Sequence, residues 1–282
     1  MRKLFVIALC LLTVLAGICL AMAYVTYYDP GKPIAVGKCT PAPEGAGWVN
    51  LLDEANGPLW KNIANEKQIF EVKDEVLHIF GGGIGPLQYA TYTGEPFGDF
   101  DLHLEFKLSE PKGYASWMKI FLSAQLRCNS GVFLRVPEGD SPLRGFEVQV
   151  LDDYGWPANK NGTGSIYDVD SPMFNMARPT GEWNSYDISL RGSKITVTVN
   201  GWKVIDTDFA QMTAPIGKFT TAYADLPASG RIALQDHGGE VWYRNIRIKP
   251  AGGGAPAPDV PSKTPALPES PLEQPEDLPA RS

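Results

Sequence analysis

The chain has 282 residues, with 25 Lys+Arg against 32 Asp+Glu and a formal net charge of -7. At 44% hydrophobic and 20% charged residues, it is too apolar to be wholly disordered and long enough to bury one good core. The acidic balance excludes nucleic acid as the main partner, because phosphate binding wants a basic surface, and 29 Gly, 24 Pro and 11% aromatics favour strands and turns over a helical bundle.

Met1-Arg2-Lys3 precedes an apolar run over residues 4–20, and Ala21-Met22-Ala23 sets small residues before Tyr24. A positive start, apolar middle and small-x-small exit predict a secretory signal over 1–23. Left uncleaved, the run lies near the lower limit for a membrane anchor, about 17 residues. Cys19 follows Ala16-Gly17-Ile18, so the small residue a lipoprotein signal needs directly before its cysteine is missing. Either way the rest of the chain is expected outside the cytoplasm, periplasmic or secreted, with residues 24–46 as a Pro/Gly-rich leader.

Residues 47–250 read as one β domain. Phe100, Leu102, Leu104, Phe106 and Leu108 alternate with Asp101, His103, Glu105 and Lys107, so one strand face is apolar and the other polar. Ile195, Val197 and Val199 repeat the pattern. Asn200-Gly201 then supplies a tight hairpin turn, and Lys203-Val204-Ile205 returns. Further strands are predicted over 69–72, 76–80, 131–136, 146–151, 186–190, 232–235 and 241–248. Residues 115–126 read as a short helix or a long hairpin. Many short strands without a fixed repeat predict a two-layer sandwich or jelly roll. Beyond residue 250 the Gly-Gly-Gly and Pro-rich text cannot repay its ordering entropy, so 251–282 is expected to be disordered. This tail holds Lys263 and Arg281 against Asp259, Glu269, Glu273, Glu276 and Asp277, a net -3.

Cys10 and Cys19 lie in the signal, leaving Cys39 and Cys128 as candidates for one bridge. Cys128 beside a strand and Cys39 in the leader are poor settings for a nucleophile.

The chemistry gathers in three places. In a strand over 146–151, Glu147 and Gln149 share a face. Asp152 joins them only if a one-residue bulge falls near Leu151. Carboxylates so placed can divide acid and base roles; alternatively Glu147 only pairs with Arg135 or Arg144. His237 ends a strand and precedes Gly238-Gly239, so a ligand can approach its imidazole, whose ordinary pKa of about 6.5 suits proton transfer; it also reads as a turn histidine. His78 reads as packing or surface and His103 as solvated. Asn129 and Arg135 flank a strand, Arg135 suiting an oxyanion or a carboxylate, and Tyr154 or Trp156 could stack on a sugar. There is no His-Glu-x-x-His helix, phosphate loop, Rossmann glycine run or Gly-x-Ser-x-Gly elbow. No cofactor is called for, and a divalent metal stays open.

NSGVFLR (129–135), GFEVQVLD (145–152), TGSIYD (163–168), RPTGEWN (178–184), VNG (199–201) and LQDHGGEVWYRNIRIK (234–249) come in the order of the 3-keto-disaccharide hydrolase domain family, which the chain resembles. GWVNLLDEANGPLW (47–60) is similar to that family's opening. The resemblance implies a concanavalin A-like jelly-roll β-sandwich and an extracytoplasmic bacterial enzyme acting on 3-keto-glucosides, as a lyase or as a hydratase of the resulting 3-keto-2-hydroxy-glucal. For that chemistry His237 or Glu147 is expected as base, Asp152 as acid, Arg135 as enolate stabiliser, and Gln149, Asn129 and Trp156 as substrate contacts. The implied partner is a small carbohydrate, with a membrane or envelope tether from the N-terminal segment. Residues 115–127 look like an insertion, and 85–97 match loosely. EVQVLD (147–152) also resembles the E-[IV]-D-[IV]-x-E strand of laminarinase-type glucanases. Gln149 and Asp152 depart from that pattern and argue against ordinary glucanase chemistry. A non-catalytic glycan-binding module is the competing class.

Overall fold

The computed structural model describes residues 10–19, 37–65, 67–82, 87–110, 128–139, 142–217, 219 and 221–251. The expected signal and leader lie largely, and the 115–126 helix or hairpin and the tail almost wholly, outside these residues.

Thirteen strands form two antiparallel sheets. β6 (Phe100–Leu108), β9 (Asn184–Arg191), β10 (Lys194–Val199), β11 (Trp202–Asp208), β13 (Val241–Pro250), β4 (Val76–Ile79) and β3 (Phe70–Lys73) make the large sheet, in the order β11-β10-β9-β6-β13-β4-β3, and β1 (Val49–Asn50) pairs with β13 as its eighth strand. The small sheet runs β2 (Trp60–Lys61), β5 (Gln88–Tyr92), β12 (Arg231–Asp236), β7 (Asn129–Val136) and β8 (Phe146–Leu151). This is a concanavalin A-like jelly-roll β-sandwich. Period-two alternation builds its core: Leu102, Leu104 and Phe106 from one sheet meet Val132, Leu134, Val148, Val150 and Leu234 from the other.

Both cysteines are free, and the expected bridge is absent for a topological reason. Cys128 is in the inter-sheet core. Cys39 lies on the outer face of the large sheet, near Ser185 and Glu105, with that sheet between them. Burial pushes both thiols up to about 11, so neither is an activated nucleophile.

The polar face of β6 is not solvated, contrary to the expectation for His103. Residues 37–44 cross it as a strap. Thr40 N–H donates to Ser185 Oγ (2.8 Å) and its hydroxyl to Asp187 Oδ2 (2.8 Å), and Arg178 donates to Gly37 O (3.0 Å). A Cβ at Gly37 would stand 2.1 Å from Asn200 O, so only glycine lets the strap lie this close. Beneath it His103 is fully buried, its Nδ1 2.7 Å from Asp187 Oδ1. Glu105 accepts from Arg244 Nε (2.7 Å) and Asn245 Nδ2 (2.7 Å).

Burial pushes the His103 pKa down, but hydrogen bonds and charge from Asp187 and Glu105 outweigh it, and the net shift is upward. Burial likewise opposes ionisation of Glu105, yet bonds from His103, Asn245 and Arg244 hold it at about 2. A raised histidine stabilises the fold fully below its unfolded pKa, about 6.5, and less as pH rises through its folded pKa. Thermal unfolding at a pH below 6.5 and at pH 9 should therefore show an alkaline loss of stability that His103→Gln reduces.

Candidate active site

The outer face of the small sheet is the other half of the alternation that builds the core. Val132 and Leu134 of β7 and Ile232 and Leu234 of β12 point inward. Gly131, Phe133, Ala233 and Gln235 therefore share the outer face. The strand registers set these side chains in rows. Tyr89 pairs with Gln235, and Gly131 pairs with Gln149. The next row holds Lys61, Thr91, Ala233, Phe133 and Glu147.

Two small residues hollow out the middle. Ala233 lets Tyr89 meet Phe133 edge to face across it, with ring centroids 5.2 Å apart. Gly131 leaves the space that the Glu147 carboxylate fills: a Cβ there would stand 2.3 Å from Glu147 Oε1. Glu147 is buried and its charge bears on Tyr89, Tyr167 and Tyr223. Burial is the main cause of the raised pKa of all three phenols, with Tyr89 pushed up to about 12. Each phenol therefore keeps its proton at neutral pH.

Among the described residues, Gln149 Oε1, Gln235 Oε1, Asn129 Oδ1 and Thr91 Oγ1 are buried without a hydrogen-bond partner. Native proteins tolerate few such groups, and each asks for a reason. Here four belong to adjacent strands of one sheet, three of them (Gln149, Gln235 and Thr91) to the rows just described. Gln149 is fixed by its other amide atom, Nε2, which donates to Asn161 O (3.3 Å). Asn161 belongs to a loop pinned by Asp153, which accepts from Thr163 N (2.8 Å) and Thr163 Oγ1 (2.6 Å). Burial pushes the Asp153 pKa up against these bonds.

His237 is the first residue beyond β12, half-buried. The alternation of Ala233 and Gln235 leads to it, beside the Asn129 end of β7. Gly238 has φ +100°, the left-handed region that favours glycine, and its N–H donates to Asp236 Oδ1 (2.9 Å). The chain so turns away directly after His237.

Two residues expected at this site lie elsewhere. The bulge near Leu151 is absent: β7 and β8 keep unbroken register from Leu134↔Phe146 to Asn129↔Leu151. Asp152 N–H continues the ladder to Cys128 O (2.9 Å), so Asp152 falls on the core-side parity of Val148 and Val150. It accepts from the Thr180 hydroxyl (2.5 Å). The bulge lies instead at the other end of β7, where the register with β12 shifts between Arg231 and Ala233 and Arg135 takes φ +52°. That turn sends the Arg135 guanidinium to Gly98 O (3.3 Å) and Asp99 Oδ1 (3.3 Å). Six strand residues, about 20 Å, separate it from Asn129. Trp156 is 41% exposed in the loop after β8. The structure thus gathers Glu147, Gln149, Asn129 and the approach to His237 on one face, without Asp152 or Arg135. Tyr89, Thr91 and Gln235 join them; the alternation of residues 233–237 could have found Gln235, while Tyr89 and Thr91 are placed by the pairing of β5 with β12. Among the described residues no group of three or more His, Cys, Asp or Glu is arranged to hold a metal ion.

Residues 47–249 match the 3-keto-alpha-glucoside-1,2-lyase-like domain, and the chain belongs to that family. A curated relative, the 3-keto-disaccharide hydrolase of Bacteroides thetaiotaomicron, is 27% identical over 235 residues, covering 72% of this chain and 78% of the relative. Two solved Parabacteroides distasonis structures, whose names class them provisionally as glycosyl hydrolases, share the fold. One has TM-score 0.57 at 24% identity, covering 72% of this chain and 99% of its own. The other has 0.53 at 26%, covering 79% and 94%.

Gly131→Ala should displace the Glu147 carboxylate without unpairing β7. Misplacing a catalytic group by about 1 Å can cost about 100-fold. The variant should show such a loss against a 3-keto-glucoside while its far-ultraviolet circular dichroism stays that of the parent.

Proposed function

We propose that the hollow on the small sheet cleaves 3-keto-glucosides or 3-keto-disaccharides by elimination across carbons 1 and 2, with addition of water to the alkene giving net hydrolysis. The observation that carries this reading is the buried Glu147 carboxylate over Gly131, ringed by unpaired Gln149, Gln235, Asn129 and Thr91 oxygens. Membership of the family supports it, as does the name of the relative.

The chemistry needs three groups. The carbon-3 ketone acidifies the hydrogen on carbon 2, so a base must sit there; negative charge then grows on the carbon-3 oxygen; and the leaving anomeric oxygen takes a proton. Glu147 serves as base, held by the space at Gly131. The Tyr89 phenol replaces Arg135 as donor to the enolate oxygen: with its pKa at about 12 it keeps its proton and donates a hydrogen bond. His237, at the open end of β12, delivers the proton to the leaving group. Gln149, Gln235 and Asn129 accept from sugar hydroxyls, which satisfies their free oxygens. Asp152 holds the loop that carries Thr180 and takes no proton. The signal-like N-terminal segment supports an extracytoplasmic setting for this activity.

Turnover of a 3-keto-glucoside, followed by enone absorbance and free aglycone, tests the assignment. Each acid/base role is worth roughly 10²–10⁴-fold, so Glu147→Gln and His237→Ala should each lose at least about 100-fold, and Asp152→Asn should stay within about tenfold. Wild-type rates in Glu147→Gln would remove the carboxylate from the mechanism. Binding without turnover across a panel of 3-keto sugars would make the chain a glycan-binding module.

A further inference from the structure

An exposed apolar patch of the β-sandwich lies where the strap enters the fold. Met173 is 79% exposed and Trp202, at the β10–β11 turn, 45%. They are joined through Phe174, whose ring meets Trp202 edge to face at 5.9 Å, and Met173 N–H donates to Val204 O (2.9 Å). The next residue, Asn175, donates to Trp156 O (3.1 Å) and Asp153 O (2.8 Å), which brings the exposed Trp156 loop alongside. Soluble surfaces rarely cluster large side chains this way without a partner.

The strap says what the partner is. Gly37 is wedged against Asn200, and a Cβ there would stand 2.9 Å from Trp202 Cδ1. Arg178 holds the Gly37 carbonyl, and Ser185 holds Thr40 three residues further on. The chain therefore leaves the fold at a fixed place, directly beside Trp202. Upstream, the helix over residues 10–19 is apolar, with Leu11, Leu12, Val14, Leu15 and Ile18 each more than half exposed. From Cys19 to Gly37 is 18 residues, a reach of at most about 60 Å. A tether of that order holds a second contact at an effective concentration near millimolar, so a small patch suffices. Tryptophan is the residue of the membrane–water interface, with an apolar ring and a polar N–H.

From this we infer that Trp202, Met173 and the Trp156 loop form a lipid-docking surface, which seats the sandwich on the bilayer held by the N-terminal apolar segment. The inference does not depend on the reaction proposed above.

The full-length chain reconstituted into phosphatidylethanolamine and phosphatidylglycerol vesicles tests it. All seven tryptophans lie beyond residue 47, so quenching by acyl-brominated lipid reports on the body and not on the apolar segment. The vesicles should carry the chain on flotation, brominated lipid should quench part of the tryptophan emission, and Met173→Glu and Trp202→Ser should each at least halve that quenching while the thermal midpoint holds. A chain that does not float, a floating chain that is not quenched, or equal quenching in parent and both variants would overturn the inference.

Discussion

The missing side chain at Gly131 governs the small sheet's outer face. A strand residue at that position ordinarily covers its neighbours, and here a Cβ would collide with a carboxylate. Because nothing stands there, Glu147 can lie down across β7 and remain buried. A buried carboxylate is costly unless its surroundings supply donors. Four phenols, those of Tyr89, Tyr167, Tyr223 and Tyr243, feel its charge, and each is itself pushed by burial to keep its proton. On the neighbouring strand Ala233 has a similar effect, opening the space in which Tyr89 and Phe133 meet.

The sandwich has a second outer face, and its polar groups are treated the opposite way. On the large sheet the carboxylates beneath and beside the strap are answered: Asp187 by His103 and Thr40, Glu105 by Arg244 and Asn245. Farther along the same face the aromatic groups are also answered. Trp242 stacks on His78 at 4.8 Å with rings 9° apart, and Lys107 stands 4.6 Å from its centroid on the neighbouring strand. Arg244 lies 4.0 Å from the Trp183 centroid. These rings stand beside one another across the strands, with His78, Lys107 and Arg244 against their faces. One outer face is closed by its own strap and stacking; the other keeps its oxygens unanswered. That contrast is why the small sheet, and not the larger one, is the candidate site.

Alternation made most of this legible. The strands over 100–108, 146–151 and 194–199 follow from period two alone, because one apolar face and one polar face leave a single register that buries the right set. Glu147 and Gln149 could be paired on one face for the same reason. β5 could not be read so easily: Gln88–Tyr92 mixes aromatics with Ala and Thr in a segment flanked by Gly and Pro, and only its neighbours show that Tyr89 and Thr91 face the hollow. The burial of His103 was also illegible. It depends on a strap more than sixty positions upstream, a contact that periodicity within a strand cannot reveal.

Asp152 and Arg135 show where local reading loses its hold. Asp152 reaches the face of Glu147 only through a bulge near Leu151, and Arg135 reaches it only if β7 ends without one. A bulge does occur in this sheet, but at Arg135, against β12. Asp152 therefore keeps regular parity and goes to the core side, while Arg135 takes a left-handed backbone and turns out to Asp99. Since a single inserted residue flips every later side chain, the fate of both charged groups depended on where one extra residue falls. Glu147 depended on no irregularity, and it is the group that the space at Gly131 was left to receive.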